Sequence, residues 1–358
     1  LRGSRWSDRR WLFMANVEDS ESSRLNRPNW GFAGEAFKYT SMIAIVVVAG
    51  MLFKKKLGGI TWGQIWEGIQ RIPPWQIALA VLVTCINFVV LTGYDWISVK
   101  YLKKNLSISK IMQGAVMGYA LSNVFGWILG GTAIRFRLYT NWGFRFSEVV
   151  AFVSILSVTF WLGMFLLAGI SFAMLPVQLP KTYEDAMPFP LHTLGYLFLV
   201  CVGIYVLATI FIRRPIRIGK QTFVLPPFKM SLVQLLVSAA DFVLASLVLY
   251  LLLPSGVVNY STVLVSYLAA MIVVVFLHVP GGLGVLETVV LSMLASSDHA
   301  DGEPVKVAVT SALLVYRVIY YLIPAAVAGL MFIAHEMRHK REITTDQLGA
   351  PREMDPEI

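Results

Sequence analysis

The chain has 358 residues and carries few charges: 30 Lys and Arg against 21 Asp and Glu, 14 % of the total, with 57 % apolar residues. Soluble domains carry roughly 25 % charged residues, so a water-soluble globule and a disordered chain are both excluded. Two cysteines, Cys85 and Cys201, lie inside apolar runs and exclude a disulfide-stapled secreted module. The net charge of +9 sits in short loops between apolar runs, which points to anionic lipid headgroups rather than nucleic acid as the partner. The composition therefore predicts an all-α polytopic membrane protein.

In chain order, a polar amino-terminal tail (1–35) precedes a transmembrane domain (36–336) and a carboxy-terminal tail (337–358). A span needs about 20 apolar residues. The runs fall at Ala36–Phe53, where an uncleaved signal anchor is expected, and at Trp75–Trp96, Ile111–Leu129, Val149–Leu175, Leu191–Ile212, Leu232–Leu253, Ser261–Leu277, Val285–Leu294 and Val305–Ala334. About eight membrane-embedded helices are expected, with one or two broken or re-entrant segments. Trp62, Ile65, Trp66, Ile69 and Ile72 recur at helical spacing and Pro73-Pro74 stops them, which predicts an interfacial amphipathic helix. Between Arg213 and Phe228, alternation around Gly219-Lys220 predicts a small hairpin or irregular loop. Aromatic residues near the run ends (Trp62, Trp66, Trp75, Trp96, Trp142, Tyr183) read as interfacial belts.

Charge sets the topology. Arg213, Arg214, Arg217, Lys220 and Lys229, and the tail residues Arg338, Lys340 and Arg341, are expected inside; the 176–190 and 254–260 loops and the acidic Asp298–Glu303 segment are expected outside. Region 260–297 then starts and ends on one side, so it crosses twice or dips and returns. Pro280-Gly281-Gly282-Leu283-Gly284 breaks it, which favours a dip. Lys100, Lys103, Lys104 and Lys110 before Ile111–Leu129, with Arg135, Arg137 and Arg145 after it, pose the same choice for a glycine-rich segment. Broken segments dipping from opposite faces are the pattern of an inverted-repeat transporter. If Lys54-Lys55-Lys56 is inside instead, Ile111–Leu129 crosses fully.

A few charges are left for chemistry. Asp241 and Arg317 lie mid-span and Glu287 follows the glycine-rich break. A charge at the bilayer centre costs about 2.5–3.5 kcal/mol, so such groups pair or line a cavity, and Arg317 is expected to pair with Glu287 or Asp241. The pair either locks helices together or serves a substrate or ion path. Gly130-Gly131 leads to Arg135, Arg137 and Tyr139; arginine forks suit phosphate, and on a helix these two would point in different directions. The sequence His335-Glu336-Met337-Arg338-His339 fits the zincin H-E-x-x-H spacing. Crowding by Arg338, Lys340 and Arg341 and the lack of a third ligand argue against a metal site. No nucleophile–base arrangement is recognisable, so no enzymatic role and no cofactor are expected.

Gly93-Tyr94-Asp95, then the 122–139 stretch containing Asn123, Gly130 and Gly131, the 278–287 stretch containing Pro280, Gly281, Gly282, Gly284 and Glu287, and the 313–324 stretch around Arg317 occur in this order. Together they resemble the flippase-like family that includes the transmembrane region of lysylphosphatidylglycerol synthases, and most of all its free-standing YbhN-type inner-membrane members. The resemblance spans roughly residues 40–336. It implies the translocase half of those proteins without the synthase half: a phospholipid translocase of the bacterial cytoplasmic membrane, with lipid-synthesis enzymes as partners. In that reading Arg135 and Arg137 meet phosphate; Glu287, Asp95 or Asp241 meets a cationic headgroup or binds a coupling proton; and Arg317 holds the cavity's carboxylate. An ion-coupled transporter of a small anionic solute and a non-transporting scaffold for lipid enzymes remain as alternatives.

Overall fold

The computed structural model describes residues 51, 59–175, 185, 189–212, 216–218, 221–223, 225–256, 258–295 and 303–349. The expected Ala36–Phe53 anchor and the Asp298–Glu303 loop fall almost wholly outside them. Within them the chain is helical apart from one small hairpin, and six helices are long and apolar enough to cross a membrane.

Helix α1 (Trp62–Gln70) starts at Thr61, whose hydroxyl caps Gln64 N–H while the Gln64 side chain accepts from Thr61 N–H. It buries Ile65 and Gly68, leaves Trp62 and Trp66 exposed, and is stopped by Pro73-Pro74. Pro74, its missing N–H harmless at a helix start, opens the spanning helix α2 (Pro74–Tyr101).

The next segment turns back on itself. Helix α3 (Ile108–Phe125) ends at Gly126, whose φ of 83° an L side chain rarely adopts. A π-helical turn (Trp127–Thr132) and helix α4 (Ala133–Asn141) then return along α3. A Cβ on Gly130 would strike the Leu121 carbonyl, one on Gly131 the Ser122 side chain, one on Gly118 the Arg135 guanidinium, and one on Gly114 the Tyr139 ring. Each pair sums to about the same number, so the arms run antiparallel along their length. Lys104, before the first arm, lies 2.8 Å from Glu148, just after the second. Both ends are therefore on one face, and this is a re-entrant hairpin.

Helices α5 (Phe146–Met174) and α6 (Leu191–Phe211) follow as a pair, with Phe165 and Phe198 stacked between them. Strands β1 (Ile216–Ile218) and β2 (Gln221–Phe223) pair antiparallel, with Arg217 opposite Thr222, as the alternation predicts. Helix α7 (Phe228–Leu252) packs against α2 more extensively than any other described helix does. Helix α8 (Tyr260–Leu277) ends at His278 in a left-handed conformation, a Pro280–Gly282 turn follows, and α9 (Val285–Leu294) comes back against α8. The end of α8 lies at mid-depth, because Phe276 packs on Trp161 near the middle of α5. This is the second hairpin. The last span is α10 (Glu303–Arg317), a π-helical turn (Val318–Leu322) and α11 (Ile323–Gly349).

The two hairpins dip from opposite faces. The base of the first lies beside the carboxy-terminal part of α2 and, through Arg137 and Glu336, beside α11. Helix α1, the start of α2, the end of α7 and the start of α10 share the other face. In chain order, α2, the first hairpin and α5 thus make one series and α7, the second hairpin and α10–α11 another of opposite sense, with α6 joining them; α2 and α5 both pack directly on α7. That is the inverted arrangement expected from the two breaks. The outward faces of α2, α5, α6, α7 and α11 carry exposed Leu, Val, Ile and Phe, as a lipid-facing surface does.

Candidate functional site

The hairpin tips meet in the middle of the protein. A Cβ on Gly281, where φ is +60°, would come 2.9 Å from the Asn123 carbonyl and 3.4 Å from that of Val124. The PGG turn of the second hairpin therefore lies against the carboxy-terminal end of α3. Only glycine combines that φ with so close an approach.

Each hairpin is held by one arginine–carboxylate pair. In the first, Arg135 Nη2 donates to Asp95 Oδ1 at 3.1 Å and Nε donates to Oδ2 at 3.4 Å. Tyr139 donates to Asp95 Oδ2 at 2.7 Å, and Arg135 lies over the Tyr119 ring at 4.3 Å. Both side chains of this pair are fully buried. In the second hairpin the signs are exchanged. Glu287 caps its own helix by accepting from Gly284 N–H at 2.8 Å, and accepts from Arg317 Nε at 2.5 Å. Arg317 also donates to the Gly281 carbonyl and to the Gly282 carbonyl, the latter at 2.9 Å, and packs over Tyr321 at 4.5 Å. One arginine thus satisfies two of the carbonyls that the helix break exposes.

Between the two pairs, at the middle of α2 and α7, lies Asp241. It accepts from Asn87 Nδ2 at 3.1 Å and from Tyr94 OH at 3.0 Å; Asn87 Nδ2 also contacts Tyr320 OH at 2.5 Å. Buried tyrosines link the three clusters. Tyr94 touches Tyr119 on the Arg135 side, and Tyr320 touches Tyr316 and Tyr321 on the Arg317 side. Tyr316 in turn donates to Tyr267 OH at 3.3 Å.

The structure brings most of the expected residues together: Asp95, Arg135, Tyr139, Gly130 and Gly131 in the first hairpin; Gly281, Gly282, Gly284, Glu287 and Arg317 in the second, with Pro280 in its turn; Asn123 at the contact; and Asp241 between. Arg317 pairs with Glu287 and not with Asp241. Arg135 and Arg137, on one helix, do point apart: Arg135 inward, Arg137 outward to a bidentate pair with Glu336, both bonds 3.0 Å. Arg135 faces Asp95 and is enclosed, so phosphate reaches it only if that pair opens. The H-E-x-x-H glutamate is thus engaged by Arg137, and His335 stacks edge-on against Trp142. Among the described residues no three His, Cys, Asp or Glu gather to hold a metal ion. Asn87, Tyr94 and Tyr119 were not singled out as site residues by sequence reasoning. The signal was present for Asn87, an amide alone in the apolar stretch Thr84-Cys85-Ile86-Asn87-Phe88-Val89.

The chain has relatives among known proteins over most of its length. The Synechocystis sp. protein slr0712 is 35 % identical over 318 residues, covering 86 % of this chain and 96 % of the relative. The inner membrane protein YbhN of Escherichia coli is 30 % identical over 318 residues, covering 88 % of this chain and 96 % of YbhN. The phosphatidylglycerol lysyltransferase of Staphylococcus aureus is 24 % identical over 303 residues, 82 % of this chain but only 33 % of that enzyme. The profile described as the lysylphosphatidylglycerol synthase TM region matches residues 41–328. This multi-pass membrane protein therefore belongs to the family of the lysylphosphatidylglycerol synthase TM region.

Proposed function

We propose that this protein is a phospholipid translocase of the bacterial cytoplasmic membrane, moving an anionic or aminoacylated phospholipid between leaflets. The observation that carries the reading is the contact of two oppositely inserted hairpins at mid-depth, each latched to a spanning helix by one arginine–carboxylate pair. A guanidinium fork accepts phosphate as readily as carboxylate. A headgroup phosphate replaces Asp95 on Arg135, or Glu287 on Arg317, and the released carboxylate meets a cationic headgroup. Opening one latch at a time exposes the midpoint to one face only, which is alternating access. The acyl chains stay in the bilayer along the apolar exterior.

Headgroups are collected at a crevice of about 280 Å³ at the base of the first hairpin, lined by Trp96, Lys100, Lys104, Asn105 and Ser107. Its face also carries Arg137 and Arg145, and the positive-inside rule makes it the cytoplasmic one, with the carboxy terminus on the same side. The name of the Staphylococcus aureus relative, a phosphatidylglycerol lysyltransferase, supports the lipid class.

The test is reconstitution with fluorescent phosphatidylglycerol in the inner leaflet and a membrane-impermeant quencher outside. Wild-type protein is expected to expose the inner-leaflet probe. Asp95→Asn and Glu287→Gln, which keep side-chain shape, should slow this while remaining folded. Wild-type vesicles that behave as empty ones overturn the reading, and flux of a small anion in those vesicles would assign the second transporter class instead.

A further inference from the structure

Asp241 differs from the two latches because no cation pairs with it. Among the described residues none of the ion pairs includes it, and it is 8 % exposed at the middle of α7. Every group around it is neutral or already engaged. From α2 it meets Asn87 and Tyr94, while Asp95 on that helix is held by Arg135. The last span contributes Tyr320 and Tyr316 near it, its Arg317 being held by Glu287 on α9. Helix α3 supplies Tyr119 behind Tyr94 and α8 supplies Tyr267. The only carboxylate on α5 is Glu148 in its first turn, and α6 has none; α5 packs on α7 beside Asp241 through Phe160 and Gly163, and Thr159 and Tyr205 bond to Gln234. A bare carboxylate at mid-membrane, offered only neutral donors, is stable as the acid and costly as the anion.

The surroundings can serve both forms. Asn87 Oδ1 is buried with no partner, while its Nδ2 lies 2.5 Å from Tyr320 OH. That is below the usual range for an N–H···O bond and at the short end of the range for O–H···O. With Asp241 ionised, the amide N–H donates to it. With Asp241 protonated, the amide turns over, and its oxygen accepts from both the new carboxyl O–H and the Tyr320 hydroxyl. Neither form leaves Asp241 without a partner.

We infer that Asp241, with Asn87, Tyr94 and Tyr320, is a proton-binding site that loads from one face and unloads to the other as the hairpins alternate. One proton adds to the carboxylate and leaves it again in each cycle. The inference rests on the translocase reading for its role in transport, but proton binding itself does not. Infrared titration of the lipid-reconstituted protein tests binding. A carboxylic-acid C=O band that titrates in wild type should vanish in Asp241→Asn, survive in Glu287→Gln, and shift its midpoint in Tyr320→Phe. A band unchanged in Asp241→Asn overturns the site.

Coupling is read in vesicles with the membrane potential clamped to zero. One proton per lipid gives wild type about a tenfold leaflet asymmetry of the probe per unit of pH gradient. Asp241→Asn should give none. Wild-type flipping with no asymmetry overturns coupling and leaves the translocase reading standing, and asymmetry driven by a sodium gradient replaces the proton with that ion. If wild type does not flip lipid at all, the translocase reading fails, and the infrared titration still decides whether Asp241 binds a proton.

Discussion

The two hairpins solve one problem with opposite charges. Both must hold a helix break at membrane depth, where an unsatisfied backbone group costs several kcal/mol. The first is zipped by glycines, which let its return arm lie on the backbone of α3, and its ion pair lies wholly between side chains at 0 % exposure. The second packs α9 against α8 through apolar side chains, with Val274, Val279, Val285 and Val289 clustered near its tip. Its arginine bridges a carboxylate and two backbone carbonyls and retains 11 % exposure. The first latch is therefore dry, and the second is the one that water approaches more nearly. Small backbone movements at Gly281 and Gly282 would release Arg317 without disrupting a helix, so the second latch is the easier to open.

The largest expected effect follows from the dry pair. Asp95→Ala or Arg135→Ala leaves a buried charge alone and should cost about 3–5 kcal/mol of stability, read as a fall in thermal unfolding temperature in detergent. The double variant Asp95→Leu/Arg135→Met should recover most of that loss while abolishing lipid movement. Equal losses in the double and single variants would show that the pair is no isolated unit. Arg317→Ala comes next. It strips donors from Glu287 and two carbonyls, but water reaches its site more easily, so about 2–4 kcal/mol is expected. If Arg317→Ala proves more harmful than Arg135→Ala, the ranking of the two hairpins is reversed.

Glycine substitution sharpens the same contrast. A Cβ at Gly130 meets the Leu121 backbone, which cannot swing aside, whereas one at Gly203 on α6 meets nothing within 4 Å. Gly130→Ala should cost about 1–3 kcal/mol, and Gly203→Ala should be neutral or slightly stabilising, since alanine favours the helix. Equal melting temperatures for the two variants would mean that the arms of the first hairpin are not in close contact.

The spans were legible because hydrophobic length is a local property: Val285–Leu294 and Leu191–Phe211 follow the apolar runs nearly residue for residue. The dips were legible for a different reason. Basic residues on both sides of Ile111–Leu129 and the acidic segment after residue 297 left parity only two choices, and the glycines favoured one. The partners of Asp95 and Arg135 were not legible. They lie 40 residues apart in the chain, and nothing in the pattern says that a hairpin will fold one onto the other. Arg317 was narrowed to two carboxylates, and the π-helical turn at Val318–Leu322, which aims Tyr320 at Asn87 and Asp241, has no sequence signature that would have chosen between them.

The smallest effect on stability is expected at the rim of the first hairpin, where Arg137 and Glu336 tie α4 to α11. Arg137 is 56 % exposed there, so its bidentate pair contends with water. Arg137→Ala should leave the melting temperature unchanged within error. Its effect on transport separates two roles that the latches confound. If the rim arginine receives phosphate on its way inward, Arg137→Ala slows flipping of anionic phosphatidylglycerol and spares a zwitterionic probe, and added salt weakens wild type towards the variant. Glu336→Gln, which frees the same guanidinium without removing it, should do the reverse and speed capture of the anionic probe. Identical rates for all three proteins would confine Arg137 to tethering α4 to α11.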